Sequence, residues 1–193
     1  MAKDKWAQYY KETKGREPRK LLLEALKYVK NKDQALDIGA GDLADSIFLL
    51  TEDFTVTAVD SSPSSNDLAK SVHSPSFKFI YEVYESFDFK SKTYDLISAQ
   101  FALPFCKPEA FRDVYTKLKK SLKKNGIFCG QFFGINDEWN TNNSKMTFHT
   151  KKELDDLFFD LEVIKFFEEE KDGQTASGTK KHWHLFSIIA ASK

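Results

Sequence analysis

Between residues 34 and 134, short apolar runs alternate with segments of helical spacing, and that alternation leaves few folds open. "QALDI" reads as a buried strand and "DLADSIFLL" as a helix; "FTVTAVD" is a strand ending in an acid, and "SSNDLAKSV" a short helix after a Ser/Pro turn. "FKFIY" and "YDLISAQ" follow as strands. Then come "PEAFRDVYTKLKKSL" as a helix with Pro108 near its start, a "KNG" turn, and "IFCGQFFG" as a strand. Strands alternating with helices give an α/β fold, with a mostly parallel sheet covered on both faces. Ligands of such sheets sit at the carboxyl ends of the strands, where strand order reverses.

The flanks add to this. A short helix is expected around residues 4–12, and Pro18 suits the first turn of a helix over "RKLLLEALKYVK", where Leu22, Leu26 and Val29 fall near helical spacing. A polar loop covers residues 135–146. Thr150, with Glu153 three positions on, forms a capping-box pattern before "TKKELDDLF". "LEVIKFFEEE" and "HWHLFSIIAAS" read as an antiparallel strand pair joined by a glycine-bearing loop over residues 171–181.

Composition narrows the function. The 193 residues suit one domain. With 29 basic and 29 acidic side chains the net charge is zero, which argues against general affinity for nucleic acid or acidic membranes. The start of the chain is polar and does not look like a leader peptide, and no run approaches the roughly 18–20 apolar residues of a membrane span. Cys106 and Cys129 lie in apolar surroundings with no CxxC pair, as expected of reduced, packed thiols in a cytoplasmic protein. The basic run "KLKKSLKKNG" is expected to be a solvated face, with nucleic-acid docking as the alternative.

Gly39 and Gly41 follow the first strand and open a helix, keeping side chains out of the turn so that backbone N–H groups can face a ligand. Asp60 ends the next strand, where a carboxylate can accept from both hydroxyls of a ribose. A tight turn plus a surface Asp would leave the same trace. Asp37 stands two residues before the first glycine and Asp42 directly after the second, and both would repel a pyrophosphate. A cationic ligand bearing an ammonium or sulfonium suits them better. The antiparallel end of the chain also replaces the second nucleotide-binding half of a dinucleotide enzyme. Both features favour S-adenosylmethionine over NAD.

"LDIGAGD" resembles the first motif of class I S-adenosylmethionine-dependent methyltransferases, departing from it at Leu43, where the third glycine would stand. "VTAVDSSP" resembles the second motif, "FIYEVYESFDF" lies where the third places an acid near adenine, and "YDLISAQFALPFC" resembles the fourth. The opening "YYKETKGREPRKLL" and the closing "MTFHTKKELDDLFFDLEVIKFFEEEKDG" and "HWHLFSIIAASK" look like the small tellurite-resistance-type methyltransferases. The resemblance implies a Rossmann-like three-layer sandwich, with a seven-stranded, mostly parallel sheet whose last strand is antiparallel. It implies an N-terminal segment (1–33) over the cofactor, a cofactor-binding core (34–134), and a substrate-side loop, helix and strand pair (135–193). It assigns cofactor contacts to Arg16, Asp37, Gly39, Gly41, Asp60, Ser61, Glu82, Val83 and Gln100, with Arg16 on the cofactor's carboxylate through its planar fork. Where relatives carry Arg near the end, this chain has Lys180 and Lys181, so tellurite or selenium chemistry does not follow.

Methyl transfer from a sulfonium needs chiefly a positioned nucleophile, and a thiolate or soft anion needs no base. Phe101, Pro104 and Phe105 are candidates for an apolar substrate wall, and Gln100, Asp137, Glu138 and Trp139, near the carboxyl ends of late strands, are further candidates for the substrate side. His149, His182 and His184 are weak candidates for a catalytic base. His182 and His184, two apart in a strand, share one face. A metal site from the three is the sharper alternative, but a surface pair plus a packed histidine is the plainer account, since no nearby cysteine or carboxylate completes a ligand set. The Asn/Asp-Pro-Pro-aromatic motif of enzymes that methylate nucleic-acid amino groups is absent; "AQFALPF" stands in its place. The expectation is a small-molecule methyltransferase, monomeric or homodimeric, without nucleic-acid or membrane partners. The rivals are a non-catalytic cofactor-binding module and a methyltransferase acting on a macromolecule.

Overall fold

The computed structural model describes residues 6–193. Its strands are β1 (Gln34–Ile38), β2 (Thr55–Asp60), β3 (Phe77–Tyr81), β4 (Tyr94–Ala99), β5 (Leu122–Gly134), β6 (Phe148–His149), β7 (Leu161–Gln174) and β8 (Lys180–Ser192). The sheet order is β3-β2-β1-β4-β5-β8-β7, with the two-residue β6 pairing β5 beside that path. β8 runs antiparallel to both β5 and β7, and every other pairing is parallel. This is the expected seven-strand path with one antiparallel strand. The addition is β6, made where residues 148 and 149 meet the end of β5.

Helices cover both faces. On one lie α5 (Pro108–Ser121) and α6 (Lys151–Phe158), on the other α2 (Lys20–Ala25) and α3 (Ala44–Thr51). Period-2 alternation sorts the strand residues between them: Phe128 and Phe132 pack under α5 and α6, while Ile127 and Cys129 pack under α2 and α3. α5 buries Phe111, Val114, Tyr115 and Leu118, one stripe at helical spacing, each worth about 1.5–3 kcal/mol. α4 (Pro63–Ala69) lies beside β3, and α1 (Ala7–Glu12) is the N-terminal helix. Of the helix expected around residues 4–12, residues 4 and 5 lie outside the described part.

Some local expectations need correction. "KNG" is not a separate turn: β5 runs through it, with Asn125 at φ 62° and a register shift against β4 that absorbs the kink. The loop expected over 171–181 shrinks to residues 175–179, because cross-strand pairing continues to Gln174 and Lys180. Pro18 precedes α2 rather than sitting in its first turn, and the helix tightens into a 3-10 turn at Leu26–Tyr28. The capping box forms as expected, with Thr150 and Glu153 satisfying each other's backbone N–H groups.

The basic run is a largely compensated face. Lys117 pairs with Asp113, Lys119 with Asp160, and Lys123 with Asp33 and Asp95. No helix among the described residues is long and apolar enough to cross a membrane.

Candidate functional site

Strand order reverses at β1, which has β2 on one side and β4 on the other. The carboxyl ends of these strands open into a cavity of about 970 Å³. Gly39 and Gly41 form its floor at φ 66° and 54°. A Cβ on Gly39 would lie 2.6 Å from the Cβ of Ala102, and one on Gly41 would press on the Tyr10 ring at 3.0 Å. Leu43, where the third glycine of the motif would stand, itself adopts a left-handed φ of 64° just before α3. A non-glycine residue pays for that conformation, and Leu43 recovers the cost by burying its side chain with Ala40, Ala58 and Ala69.

Carboxylates crowd this floor. Asp37 is buried and accepts from the Ser46 hydroxyl at 2.6 Å. Burial, and then the charge of Asp45, push its pKa up to about 7. Asp60 accepts from the Gly41 N–H at 2.9 Å, the Ser62 N–H at 2.7 Å and the Tyr10 hydroxyl at 3.4 Å, so β2 and the glycine turn are tied together. Arg16 sets both N–H groups of its fork on Asp45 at 3.0 Å and its Nε on Asp42 at 3.0 Å. Its bidentate edge is therefore engaged with this chain's own acids.

Of the expected cofactor contacts, Arg16, Asp37, Gly39, Gly41, Asp60, Ser61, Val83 and Gln100 all line the cavity. Glu82 does not: it is exposed and its carboxylate accepts from the Val83 N–H, while Tyr84 and Glu85 line the wall. Gln100 is locked to Gln131, Ser98 and Cys129. Both cysteines are free and buried, which pushes the thiol of Cys106 up to about 12 and that of Cys129 upward as well.

The substrate-side candidates Phe101, Phe105 and Trp139 also line the cavity. The histidines do not. His149 packs between Phe111 and Phe132 with Nε2 unpartnered, and burial lowers its pKa to about 4. His182 and His184 do share a face, but it carries Asp172, Glu170 and Glu168, which hold their ring nitrogens away from the cavity. Asp137 and Glu138 also stand outside the lining.

Sequence reasoning missed four contributions. Trp6, Tyr9 and Tyr10 bring α1 and the residue before it against the cavity, and Arg19 lies over the Phe101 ring at 5.1 Å. Trp183 and Leu185 line it from β8, and residues 174–177 from the β7–β8 hairpin. The signal for Trp183 was present. The alternation that puts His182 and His184 on one face puts Lys181, Trp183 and Leu185 on the other. Lys181 is buried, 2.5 Å from Asp137, and burial lowers its pKa.

Residues 35–126, a little under half of the chain, match the family model of a methyltransferase domain. No curated protein sequence matches the chain. Among solved structures, TehB from Haemophilus influenzae superposes with a TM-score of 0.74 at 16% identity, over 89% of this chain and 61% of its own. This chain thus spans less than two thirds of TehB. The 1,6-didemethyltoxoflavin-N1-methyltransferase of Burkholderia thailandensis, solved with 1,6-didemethyltoxoflavin and S-adenosylhomocysteine, gives 0.68 at 18% identity over 91% and 77% of the two chains. The partner of the Haloferax volcanii Trm112 methyltransferase activator, in their complex, gives 0.71 at 13% identity over 100% and 99%. The fold is that of S-adenosylmethionine-dependent methyltransferases.

Proposed function

We propose that this chain is an S-adenosylmethionine-dependent methyltransferase acting on a small molecule, working as a single cytoplasmic domain. The observation that supports the cofactor most is the buried carboxyl of Asp37, beside Asp42 and Asp45 and under the glycine turn. Burial and like charge hold that carboxyl near neutrality, so a cation would stabilise its ionised form and a pyrophosphate would not. When bound, S-adenosylmethionine supplies a methyl group on a sulfonium leaving group. Gly39 and Gly41 let the backbone approach it, and Asp60 takes the ribose hydroxyls, yielding its long 3.4 Å bond from Tyr10. Ser61, Val83 and Gln100 border the adenosyl part. The carboxylate role expected of Arg16 passes to Arg19, since the Arg16 fork is held by Asp45. Among the described residues Arg19 has one side-chain hydrogen bond, to Tyr9, and a buried Nε without a partner.

Calorimetry with S-adenosylhomocysteine tests the reading. Micromolar binding is expected, weakened at least about tenfold by Asp60→Asn, the loss of one charge-assisted hydrogen bond or more. Absence of binding to the unaltered chain sinks it. Labelled-methyl transfer to RNA or protein, with none to small molecules, replaces the small-molecule acceptor by a macromolecular one.

A further inference from the structure

We propose that the acceptor end of this cavity takes a planar aromatic ring, and that the buried Lys181–Asp137 pair holds the wall on which the ring lies. The inference rests on the methyl-donor reading of the same cavity. Five rings line that end: Phe101, Phe105, Phe133, Trp139 and Trp183. They touch one another in a continuous patch. Trp139 and Trp183 have centroids 5.5 Å apart, Phe133 lies 5.8 and 5.9 Å from them, Phe105 lies 6.1 Å from Phe133, and Phe101 6.5 Å from Trp183. The contacts are tilted or edge-to-face, so the rings make a wall rather than a closed stack. Phe101 reaches it from a left-handed backbone, φ 54°, a conformation that costs energy and is kept where the surroundings enforce it.

The wall has a built support. The Lys181 side chain is 1% exposed, with Nζ 3.8 Å from the Trp183 ring centroid and 4.5 Å from that of Trp139. Asp137 accepts from Lys181 at 2.5 Å, from the Trp139 backbone N–H at 3.0 Å and from the His184 N–H at 3.3 Å. Burying such a pair gains little stability over apolar residues of the same volume. What it does here is geometric. The ammonium lies against two indoles, and the carboxylate fixes the backbone that carries one of them. Lys181 and Asp137 are thus positioning residues.

The same end restricts the nucleophile. Arg19 lies over Phe101, Glu169 and Lys171 pair with each other at 2.6 Å, and no histidine or cysteine lines the cavity among the described residues. With no histidine or cysteine there, and Glu169 tied to Lys171, the site suits an acceptor whose nucleophile is competent near neutral pH, an aryl thiolate or a ring nitrogen. Its lone pair forms the new bond to the methyl carbon. The carbon–sulfur bond of the sulfonium breaks with its electron pair left on sulfur, and any proton on the acceptor passes to water.

The experiment follows formation of S-adenosylhomocysteine with thiophenol and benzimidazole as planar probes and 2-mercaptoethanol and ethanolamine as aliphatic ones. S-adenosylhomocysteine affinity is read separately by calorimetry. The planar probes are expected to turn over at least about tenfold more efficiently, the scale of one ring stacked on an aromatic side chain. Trp183→Leu and Lys181→Met should raise the KM for thiophenol about tenfold while changing S-adenosylhomocysteine affinity less than about twofold, and Lys181→Arg should restore part of the loss. Aliphatic probes that match the planar ones, no turnover of either planar probe, or a Trp183→Leu variant with unchanged KM overturns the proposal. If Lys181→Met does not fold, the Trp183→Leu result decides. Failure of the unaltered chain to bind S-adenosylhomocysteine removes the underlying reading, and the proposal with it.

Discussion

Leu43 shows how a single residue can depart from a motif and still serve it. Its backbone takes the φ of 64° that a glycine would take freely, and its side chain, 1% exposed, fills the space over Ala58. The two costs separate by substitution. Leu43→Ala loses the packing and keeps the strain, while Leu43→Gly loses the packing and sheds it. Both variants are expected to be destabilised by about 2–4 kcal/mol, as for buried leucine truncations. The glycine variant should be the more stable of the two by about 1 kcal/mol, the reverse of the usual order. Urea unfolding with a shared m-value checks this.

At the level of elements, short helices depend most on their ends. α6 has eight residues, too few to stand alone, and its first turn is satisfied by Thr150 and Glu153. Thr150→Ala is expected to cost about 1 kcal/mol, measured by thermal or urea unfolding. The cap was legible in the sequence because its determinants are local. So were the central strands, whose apolar runs are buried on both faces, and the glycine turn between β1 and α3. What escaped depends on residues far apart in the chain. β5 continues through "KNG" because β4 lies alongside to pair with it, and the β7–β8 ribbon runs to Gln174 and Lys180 because its cross-strand register does. The cavity contacts of Tyr10 and Arg19 depend on how α1 and the start of α2 dock, which no local spacing encodes; for Trp183 the alternation gave the face but not what that face meets. The histidines drew attention as chemical types, but their surroundings are carboxylates and phenylalanines.

Across the whole molecule, two buried groups tilt stability with pH in opposite directions. His149 has a folded pKa near 4 against 6.5 unfolded. Its contribution is complete above pH 6.5 and is lost as pH falls toward 4, by up to about 3 kcal/mol. Asp37, raised from 3.8 to about 7, acts with the other sign, since stability falls as pH rises through that window. Relative to the unaltered chain, His149→Phe is expected to make stability decline with rising pH between about 4 and 7, and Asp37→Asn to make it climb. Unfolding free energies measured at pH 4.5, 5.5 and 6.5 distinguish the two.

The position of β8 has a further consequence, during synthesis. It lies between β5 and β7 although it is made after both. Until Lys180–Ser192 leaves the ribosome, residues 127–133 of β5 present an unpaired apolar edge and β7 has no neighbour. That interval is about 60 residues of translation, roughly 3–12 s at about 5–20 residues per second. The nascent sheet therefore waits, with β5 exposed and prone to pair with the wrong chain, for the strand that joins β7 to it.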